Sequence, residues 1–247
     1  MKAVLGLEDG THVVGEGFGV EGCATGELVF TTQMTGYMEA LTDPSYHGQI
    51  LMFTYPLIGN YGVDVQNAQS SRVWAAGCVV RELCASPARK PLFARYFEEQ
   101  GLSGIAGVDT RALTIRLREC GTMRSCLLVG SSDAEEAIQR ARQLPPITGI
   151  DLIPGVTTRA PYRIPGPGKR IAVIDLGIKR NMITSLQDRG ADLTVFPADA
   201  TDRDVLASEP QALFISNGPG DTKRATAAIE CVRSCIGELP IFGICMG

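Results

Sequence analysis

Hydrophobic residues in the first third of the chain fall in short runs that are separated by glycine turns. Runs of this length predict β-strands, here over residues 4–7, 12–14, 27–32 and 50–55. Helical spacing then predicts three helices, over 91–100, from a cap at Asp109 to Cys120, and from a Ser132-x-x-Glu135 capping box to Pro145. Strands that are followed by helices, and do not alternate with them, predict a mixed α+β domain over residues 1–148.

The pattern becomes strictly alternating from residue 169 onward. Buried strands are predicted over 170–175, 192–196, 211–216 and 239–244, with helices between them over 178–189, from Thr201, and over 223–236. This βαβαβαβ order predicts a parallel, doubly wound sheet over residues 169–247. Residues 149–168 are rich in proline and glycine and predict a linker. The predicted fold class is therefore α/β, with an N-terminal mixed α+β domain followed by a partial doubly wound domain.

Composition argues against several classes of function. The 247 residues are 45% hydrophobic and 20% charged, and a formal net charge of −4 argues against a nucleic-acid or anionic-membrane surface. No apolar run reaches the ~18 residues of a membrane span, and the N-terminus lacks the apolar core of a signal peptide, so a cytoplasmic protein is predicted. The 8 cysteines are then expected to be free thiols, and with only two histidines, His12 and His47, no metal site is predicted.

One glycine motif imitates a nucleotide-binding site. Gly17-Phe-Gly-Val-Glu-Gly22 matches the dinucleotide-binding fingerprint, and an acidic residue, Asp43, lies about twenty residues further on. The fingerprint requires a helix directly after its last glycine, whereas residues 23–30 have the pattern of another turn and strand. We therefore interpret these glycines as turn residues and predict no nucleotide site here.

The candidate chemistry of the second domain centres on Gly243-Ile-Cys-Met-Gly247, which follows a predicted buried strand. A nucleophile between two glycines at a strand end is the pattern of a nucleophile elbow, a sharp turn whose neighbouring residues must be small. A helix after this turn would favour the thiolate, because helix N-termini carry partial positive charge. The pentapeptide is weak evidence by itself, since cysteine is also a common buried residue.

A second loop is expected at the same edge of the sheet. Loops that follow parallel strands share one edge of a doubly wound sheet, where ligands bind, and both Cys245 and the segment 217–222 follow strands. Asn217-Gly-Pro-Gly220 offers backbone N–H groups with no side chain to block approach, and such donors beside a thiolate form an oxyanion hole. The alternative interpretation is a tight turn that binds no ligand.

Residues 35–62 of the first domain are rich in tyrosine, glycine, proline and asparagine. From physical chemistry alone, turns at Asp43-Pro44 and Gly59-Asn60 explain this composition best. The alternative is a loop that presents polar groups to a ligand or to a partner domain.

Taken together, Gly243-Ile-Cys-Met-Gly247 and Ser216-Asn-Gly-Pro-Gly-Asp221 resemble the motifs of class I glutamine amidotransferase domains. The first domain narrows the resemblance, because its motifs are similar to those of the small, glutamine-hydrolysing subunit of carbamoyl-phosphate synthase. These motifs include Leu41-Thr-Asp-Pro-Ser-Tyr46 and Gly107-Val-Asp-Thr-Arg-Ala-Leu113. The resemblance runs over nearly the whole chain.

This resemblance implies an enzyme that hydrolyses glutamine. Cys245 would attack the side-chain amide carbon and give a glutamyl thioester and ammonia. Gly218, Gly220 and Met246 would bind the substrate and its oxyanion, and Ser45 would contact glutamine from the first domain. Ammonia would pass to a large partner subunit, in a heterodimer, that uses ATP, Mg²⁺ and bicarbonate to make carbamoyl phosphate for pyrimidine and arginine synthesis. No cofactor is implied for this chain.

The sequence departs from the family pattern in two mild ways and one larger way. Met246 replaces a usual leucine of similar volume, and Thr222 replaces a common proline. The family's catalytic histidine and glutamate come well after the elbow, and no residue here matches them. We therefore expect a fragment of a longer protein that is inactive as a glutaminase by itself. His12 and His47 are not expected to supply the base, since neither lies in the amidotransferase domain.

Three other functions stay open from the residues. An amidotransferase subunit of another synthase, such as those for anthranilate or GMP, is disfavoured by the motifs of the first domain. A non-catalytic interaction or regulatory subunit is disfavoured by the presence of Cys245. A cysteine hydrolase of the related doubly wound peptidase type leaves the first domain unexplained.

Overall fold

The computed structural model describes residues 1–86 and 92–247. These residues form two compact units, Met1–Ile147 and Thr148–Gly247, and each is described here by itself. Within the described part of the chain, every helix is too short or too polar to cross a bilayer.

The described residues of the first unit form nine strands and four helices. The strands are β1 (Lys2–Leu7), β2 (His12–Gly19), β3 (Gly22–Thr31), β4 (Gln49–Phe53), β5 (Leu57–Ile58), β6 (Gly77–Val79), β7 (Glu82–Leu83), β8 (Ser103–Ala106) and β9 (Met123–Val129). The helices are α1 (Tyr37–Leu41), α2 (Phe93–Glu99), α3 (Thr110–Cys120) and α4 (Ala134–Gln143). The mixed α+β class is confirmed, but β8 and β9 alternate with α2, α3 and α4, where the sequence predicted helices alone.

Seven of these strands close into a barrel in the order β1-β2-β8-β6-β4-β3-β9. The pairs β3–β4, β4–β6 and β6–β8 are parallel, and the other pairs are antiparallel. Alternate residues of β1 point to opposite sides of the barrel wall: Leu5 and Leu7 lie in the interior core, whereas Val4 packs under α4. Closure between β1 and β9 leaves these strands without a free edge.

The glycines that imitate a nucleotide fingerprint flank the connection between β2 and β3. Gly17 lies within β2, where it pairs with Ile105, so its interpretation as a turn residue is wrong. Gly19 ends β2 with φ 79°, and Gly22 opens β3 rather than a helix. The prediction of another strand after this motif is therefore confirmed.

Helix caps agree with the sequence at α3 and differ at α4. The carboxylate of Asp109 accepts the N–H of Ala112 at 3.0 Å, as predicted. At α4 the cap is Asp133, whose carboxylate accepts the N–H of Glu136 at 2.9 Å, so the predicted capping box at Ser132 is wrong by one residue. Both residue types cap about equally well, so the sequence could not distinguish between the two adjacent positions. The predicted helix over 91–100 is α2, and its first residue, Pro91, lies outside the described residues.

The second unit holds a five-stranded sheet in the order β10-β12-β11-β13-β14. Its strands are β10 (Tyr162–Ile164), β11 (Arg170–Asp175), β12 (Asp192–Pro197), β13 (Ala212–Ile215) and β14 (Ile241–Gly243), and its helices are α5 (Arg180–Gln187), α6 (Asp202–Ala207) and α7 (Thr226–Cys235). Strands β11 to β14 are parallel. One face packs against Met182 and Leu186 of α5, and the other against residues of α6 and α7. The predicted doubly wound sheet is therefore confirmed.

The structure differs from the sequence prediction at both ends of this sheet. Residues 149–168, predicted as a linker, include β10, which pairs antiparallel with β12 from Tyr162↔Val195 to Ile164↔Leu193. Strand β14, predicted as buried, pairs only with β13 among the described residues, and Phe242 is 41% exposed. Strand β10 could not be predicted from the sequence, because it is short and forms by pairing with β12.

Candidate active site

Cys245 occupies a strained turn directly beyond β14. Its φ is 60°, and Glu209 is the other non-glycine residue with positive φ in the described part of the chain. A side chain in this region costs about 1–3 kcal/mol, a strain that recurs at functional sites. The N–H of Gly247 donates to the carbonyl of Ile244 at 3.2 Å and closes the turn, and the Cys245 side chain is exposed. These are the features of a nucleophile elbow.

At both glycines of the elbow, a side chain would clash with the neighbouring backbone. A Cβ on Gly243 would lie 2.1 Å from the carbonyl carbon of Gly247. A Cβ on Gly247 would lie 2.2 Å from the carbonyl oxygen of Ile215, which also accepts the N–H of Ile244 at 3.2 Å. The elbow is therefore packed against the end of β13, where the second predicted loop begins.

That loop, residues 216–221, is anchored by buried polar groups. The Ser216 hydroxyl accepts the N–H of Leu176 at 2.9 Å and donates to the carbonyl of Asn217 at 2.8 Å. Ser216 is fully buried and Asn217 is 2% exposed. The side-chain oxygen of Asn217 accepts the N–H of Lys179 at 3.3 Å. These bonds connect the end of β13 to the loop that follows β11.

Both glycines of this loop have a structural reason to lack a side chain. A Cβ on Gly218 would lie 2.2 Å from the carbonyl oxygen of Leu176. Gly220 has φ 82°, a conformation that favours glycine. The segment is therefore a tight, fixed turn, and a fixed backbone beside an elbow is suited to hold N–H donors for developing negative charge.

Asp175, at the end of β11, positions the site but was not predicted from the sequence. Its carboxylate accepts the N–H groups of Gly177 at 2.9 Å, Ile178 at 2.7 Å and Thr158 at 2.8 Å. Burial raises the pKa of Asp175, and its backbone hydrogen bonds act in the opposite direction. The signal in the sequence was an acidic residue that ends a buried strand. The carboxylate fixes the loop after β11, on which Gly218 rests.

The side chain of Met246 packs into the core and does not face the site. The side chain is half-buried and packs against the core that includes Ile215. A role in substrate binding is therefore left to the backbone of Met246, in the position after the nucleophile that supplies an oxyanion donor in elbow enzymes.

Ser45 belongs to the first unit, whereas the other four predicted site residues share one sheet edge of the second. It lies in a 3₁₀ turn, Pro44–Tyr46, and its N–H donates to the buried carboxylate of Asp43 at 2.9 Å. Asp43 therefore serves as a turn cap, as the turn interpretation predicted. Gly59, in the second predicted turn, has φ 86°.

Neither histidine lies in the unit that carries Cys245. His12 opens β2, and His47 contacts the Trp74 ring at 5.2 Å between centroids. Burial and the nearby Arg72 charge lower the pKa of His47. The second unit thus contains no histidine, in agreement with the two positions in the sequence.

A cavity of about 370 Å³ in the second unit lies apart from these residues. It is lined by residues of segments 151–159, 197–199 and 224–227, and Cys245, Gly218 and Gly220 are not among them. The candidate active site is therefore the open edge at the elbow and not this cavity.

Comparison with known families agrees with this geometry. The model for "Glutamine amidotransferase class-I" matches residues 172–247, which cover the elbow and the glycine loop. The second unit therefore carries a class-I glutamine amidotransferase domain. The model for "Carbamoyl-phosphate synthase small chain, CPSase domain" matches residues 5–127 of the first unit.

Curated relatives extend the match over the whole chain. Carbamoyl phosphate synthase small chains from Methanosarcina acetivorans and Methanosarcina mazei are each 54% identical over 259 residues, covering 100% of this chain and 70% of the relative. The small chain from Clostridium acetobutylicum is 43% identical over 252 residues, covering 71% of that protein. This chain belongs to the carbamoyl phosphate synthase small chain family.

Proposed function

We propose that the site hydrolyses glutamine through a covalent thioester. The Cys245 thiolate attacks the carbon of the side-chain amide, the C–N bond breaks, and the nitrogen leaves as ammonia after it gains a proton. Water then attacks the thioester and releases glutamate and the thiol. The observation that carries the proposal is the exposed Cys245 at φ 60° on a strand-to-turn elbow.

The backbone around the elbow would stabilise the tetrahedral intermediate. The N–H groups of the Gly218–Gly220 segment and of Met246 are our candidates for its oxyanion donors. Support comes from the tight seat of Gly218 on Leu176 and from the buried Ser216 hydroxyl below the loop. Removing one donor from such a site costs about 10²–10³ in rate.

Ser45 would contact glutamine from the first unit, by its match to the family motif Asp43-Pro-Ser-Tyr46. Ammonia would pass to a large subunit that consumes ATP with Mg²⁺ and bicarbonate, in a cytoplasmic heterodimer that feeds pyrimidine and arginine synthesis. The names of the relatives support the coarser part of this proposal, a small chain of a carbamoyl phosphate synthase. This chain itself would need no cofactor.

The 247-residue chain would not turn over glutamine by itself. Departing ammonia needs a proton, and no residue of this chain matches the histidine and glutamate that follow the elbow in the family pattern. Ammonia release by the purified chain, abolished by Cys245→Ser, would contradict this part of the proposal.

The main test is covalent labelling of the native full-length protein. We expect an electrophilic analogue of glutamine to label Cys245 faster than an alkylator of equal size that lacks the amino-acid group. Free glutamine should protect Cys245. Cys120, another exposed thiol, should react equally with both reagents and without protection. Equal rates at Cys245 with both reagents would reject a glutamine site and favour a non-catalytic, partner-binding role.

A further inference from the structure

Two cysteines on neighbouring strands of the barrel lie close enough to react with each other. The Sγ atoms of Cys23 on β3 and Cys126 on β9 are 3.4 Å apart. The antiparallel register pairs Cys23 with Leu128 and Cys126 with Thr25, so the two cysteines are diagonal neighbours on the same face of the pair. Diagonal neighbours remain within reach of each other across a twisted antiparallel pair.

The two thiols differ in access to solvent. Cys23 is exposed, whereas Cys126 is fully buried beneath α4 beside Val4 and Ala137. Burial, with a smaller contribution from Cys23, raises the pKa of the Cys126 thiol to about 12. A reagent from solvent therefore meets Cys23 first, with Cys126 buried behind it.

A positive charge stands beside the accessible sulfur. The Arg140 guanidinium, on α4, interacts with both the Cys23 sulfur and the Glu136 carboxylate, and these two partners raise its pKa. The distance from Arg140 to Glu136 is 2.7 Å. Because the thiolate is the nucleophile of cysteine chemistry, a neighbouring guanidinium promotes reaction of the sulfur with electrophiles.

We propose that Cys23 and Cys126 form a reversible oxidation site for small hydroperoxides, in which Cys23 is the attacking and Cys126 the resolving cysteine. The Cys23 thiolate attacks the terminal oxygen of hydrogen peroxide, the O–O bond breaks, and water leaves after protonation. The sulfur is then a sulfenic acid. Cys126 attacks this sulfur, its proton leaves with the hydroxyl as a second water, and a disulfide joins β3 to β9.

The contact between the two sulfur atoms favours the second step. The sulfur atoms are 3.4 Å apart and must approach by about 1.4 Å to reach the ~2.05 Å of a disulfide bond. Other cysteines lack this combination of an exposed and a buried thiol in contact. Cys231 and Cys235 on α7 are both buried, and Cys120 is exposed at the end of α3.

The test treats the full 247-residue chain with one equivalent of hydrogen peroxide, blocks free thiols by alkylation, and maps the peptides by mass. We expect one cross-linked pair, Cys23 with Cys126, lighter by two hydrogen atoms and restored by a dithiol reductant. Cys126→Ala should halt at a sulfenic acid on Cys23, trapped by a 1,3-dione. Cys23→Ser should leave Cys126 reduced, and Arg140→Gln should slow formation of the linked pair.

Cys120→Ser is the matched control, since it removes an exposed thiol outside the pair and should leave the linked peptide unchanged. The wild-type cross-link needs no substitution, so it remains decisive even if Cys126→Ala fails to fold. Direct conversion of wild-type Cys23 to the sulfinic acid without the linked peptide would overturn the proposal. Oxidation of Cys126 in the Cys23→Ser chain at the wild-type rate would overturn it as well.

Discussion

Gly243 and Gly247 lie so close across the turn at Cys245 that a Cβ atom on Gly243 would be 2.1 Å from the carbonyl carbon of Gly247. Real Cβ atoms do not approach a backbone carbon to this distance. The elbow therefore depends on the absence of two side chains as much as on the presence of a sulfur. The spacing of the glycines in the sequence reports this requirement directly.

Replacement of Gly243 by alanine is expected to open the elbow. The added methyl group must displace the Gly247 backbone, which in turn rests on Ile215, so the Cys245 sulfur moves away from the loop at residues 216–221. In the full-length protein, we expect an electrophilic glutamine analogue to label Cys245 at least tenfold more slowly. This corresponds to an activation free energy of labelling that is about 1.4 kcal/mol higher.

Gly237→Ala is the matched control for that substitution. Gly237 has φ 91° and no atom near an added Cβ, so the change costs about 1–2 kcal/mol of backbone strain without moving the elbow. Its labelling rate at Cys245 should stay at the wild-type value. Similar losses of labelling in both variants would show that general destabilisation, and not the elbow, controls reactivity.

Ser216→Ala is expected to loosen the loop that faces the elbow. The buried N–H of Leu176 loses its acceptor at 2.9 Å, and the carbonyl of Asn217 loses a donor. We expect about 1–3 kcal/mol of destabilisation, as for other buried groups that are left unpaired. Amide hydrogen exchange in residues 174–179 and 213–219 measures this destabilisation. Ser208→Ala is the control, because the half-buried hydroxyl of Ser208 donates to the carbonyl of Val205, outside this loop. Unchanged exchange in the Ser216 variant would contradict the anchoring role.

Two alanine substitutions test which residue caps the N-terminus of α4. Asp133→Ala removes the carboxylate that accepts the Glu136 N–H and should cost about 1 kcal/mol, whereas Ser132→Ala should cost almost nothing. Because Trp74 is the only tryptophan and belongs to the first unit, urea unfolding followed by tryptophan fluorescence measures both variants there. A larger loss for Ser132 would restore the capping box that the sequence suggested.

Acid should weaken the first unit through Glu8. Hydrogen bonds from Arg124, with distances of 2.8 Å from its N–H and 2.7 Å from Nε, lower the pKa of Glu8 below its ordinary value of 4.5. A depressed carboxyl pKa contributes stability that is present above 4.5 and is lost as the pH falls through the folded-state value. We expect Glu8→Gln to cost about 1 kcal/mol at pH 7 and progressively less below pH 4.5.

The exposed Glu98 on α2 supplies the control for this pH dependence. Glu98→Gln should cost less stability than Glu8→Gln at pH 7, because the Glu98 side chain is exposed. Tryptophan fluorescence at a series of pH values compares the two variants with the wild type. A cost for Glu8→Gln that stays constant down to pH 3 would rule out the proposed ion pair as the cause.

Much of the second unit could be predicted because its signals are local. Strand β11 coincides with the predicted residues 170–175, and the capping box between Thr201 and Asp204 opens α6. The elbow and the glycine loop are short motifs whose positions after strands determine the sheet edge at which they lie. Four of the five predicted site residues could therefore be assigned to one edge before any coordinates were known.

Features that depend on distant partners could not be predicted. Strand β10 lies in a segment rich in proline. It pairs with Leu193 to Val195 of β12, and this pairing produces no alternation of hydrophobic and polar residues that the sequence would reveal. Closure of the first unit into a barrel likewise results from pairings between distant strands. The role of Asp175 required its three hydrogen-bond donors, of which Thr158 comes from the segment predicted as a linker.

Barrel closure also determines when the first unit can fold during its synthesis. Ala3 pairs with Val129, so β1 finds its β9 partner only after the more than one hundred residues between them have been translated. Contacts between such distant segments slow folding, because the entropy of closing the long intervening loop must be overcome first. Until then β1, with five buried residues in six, is an exposed apolar segment that chaperones would recognise.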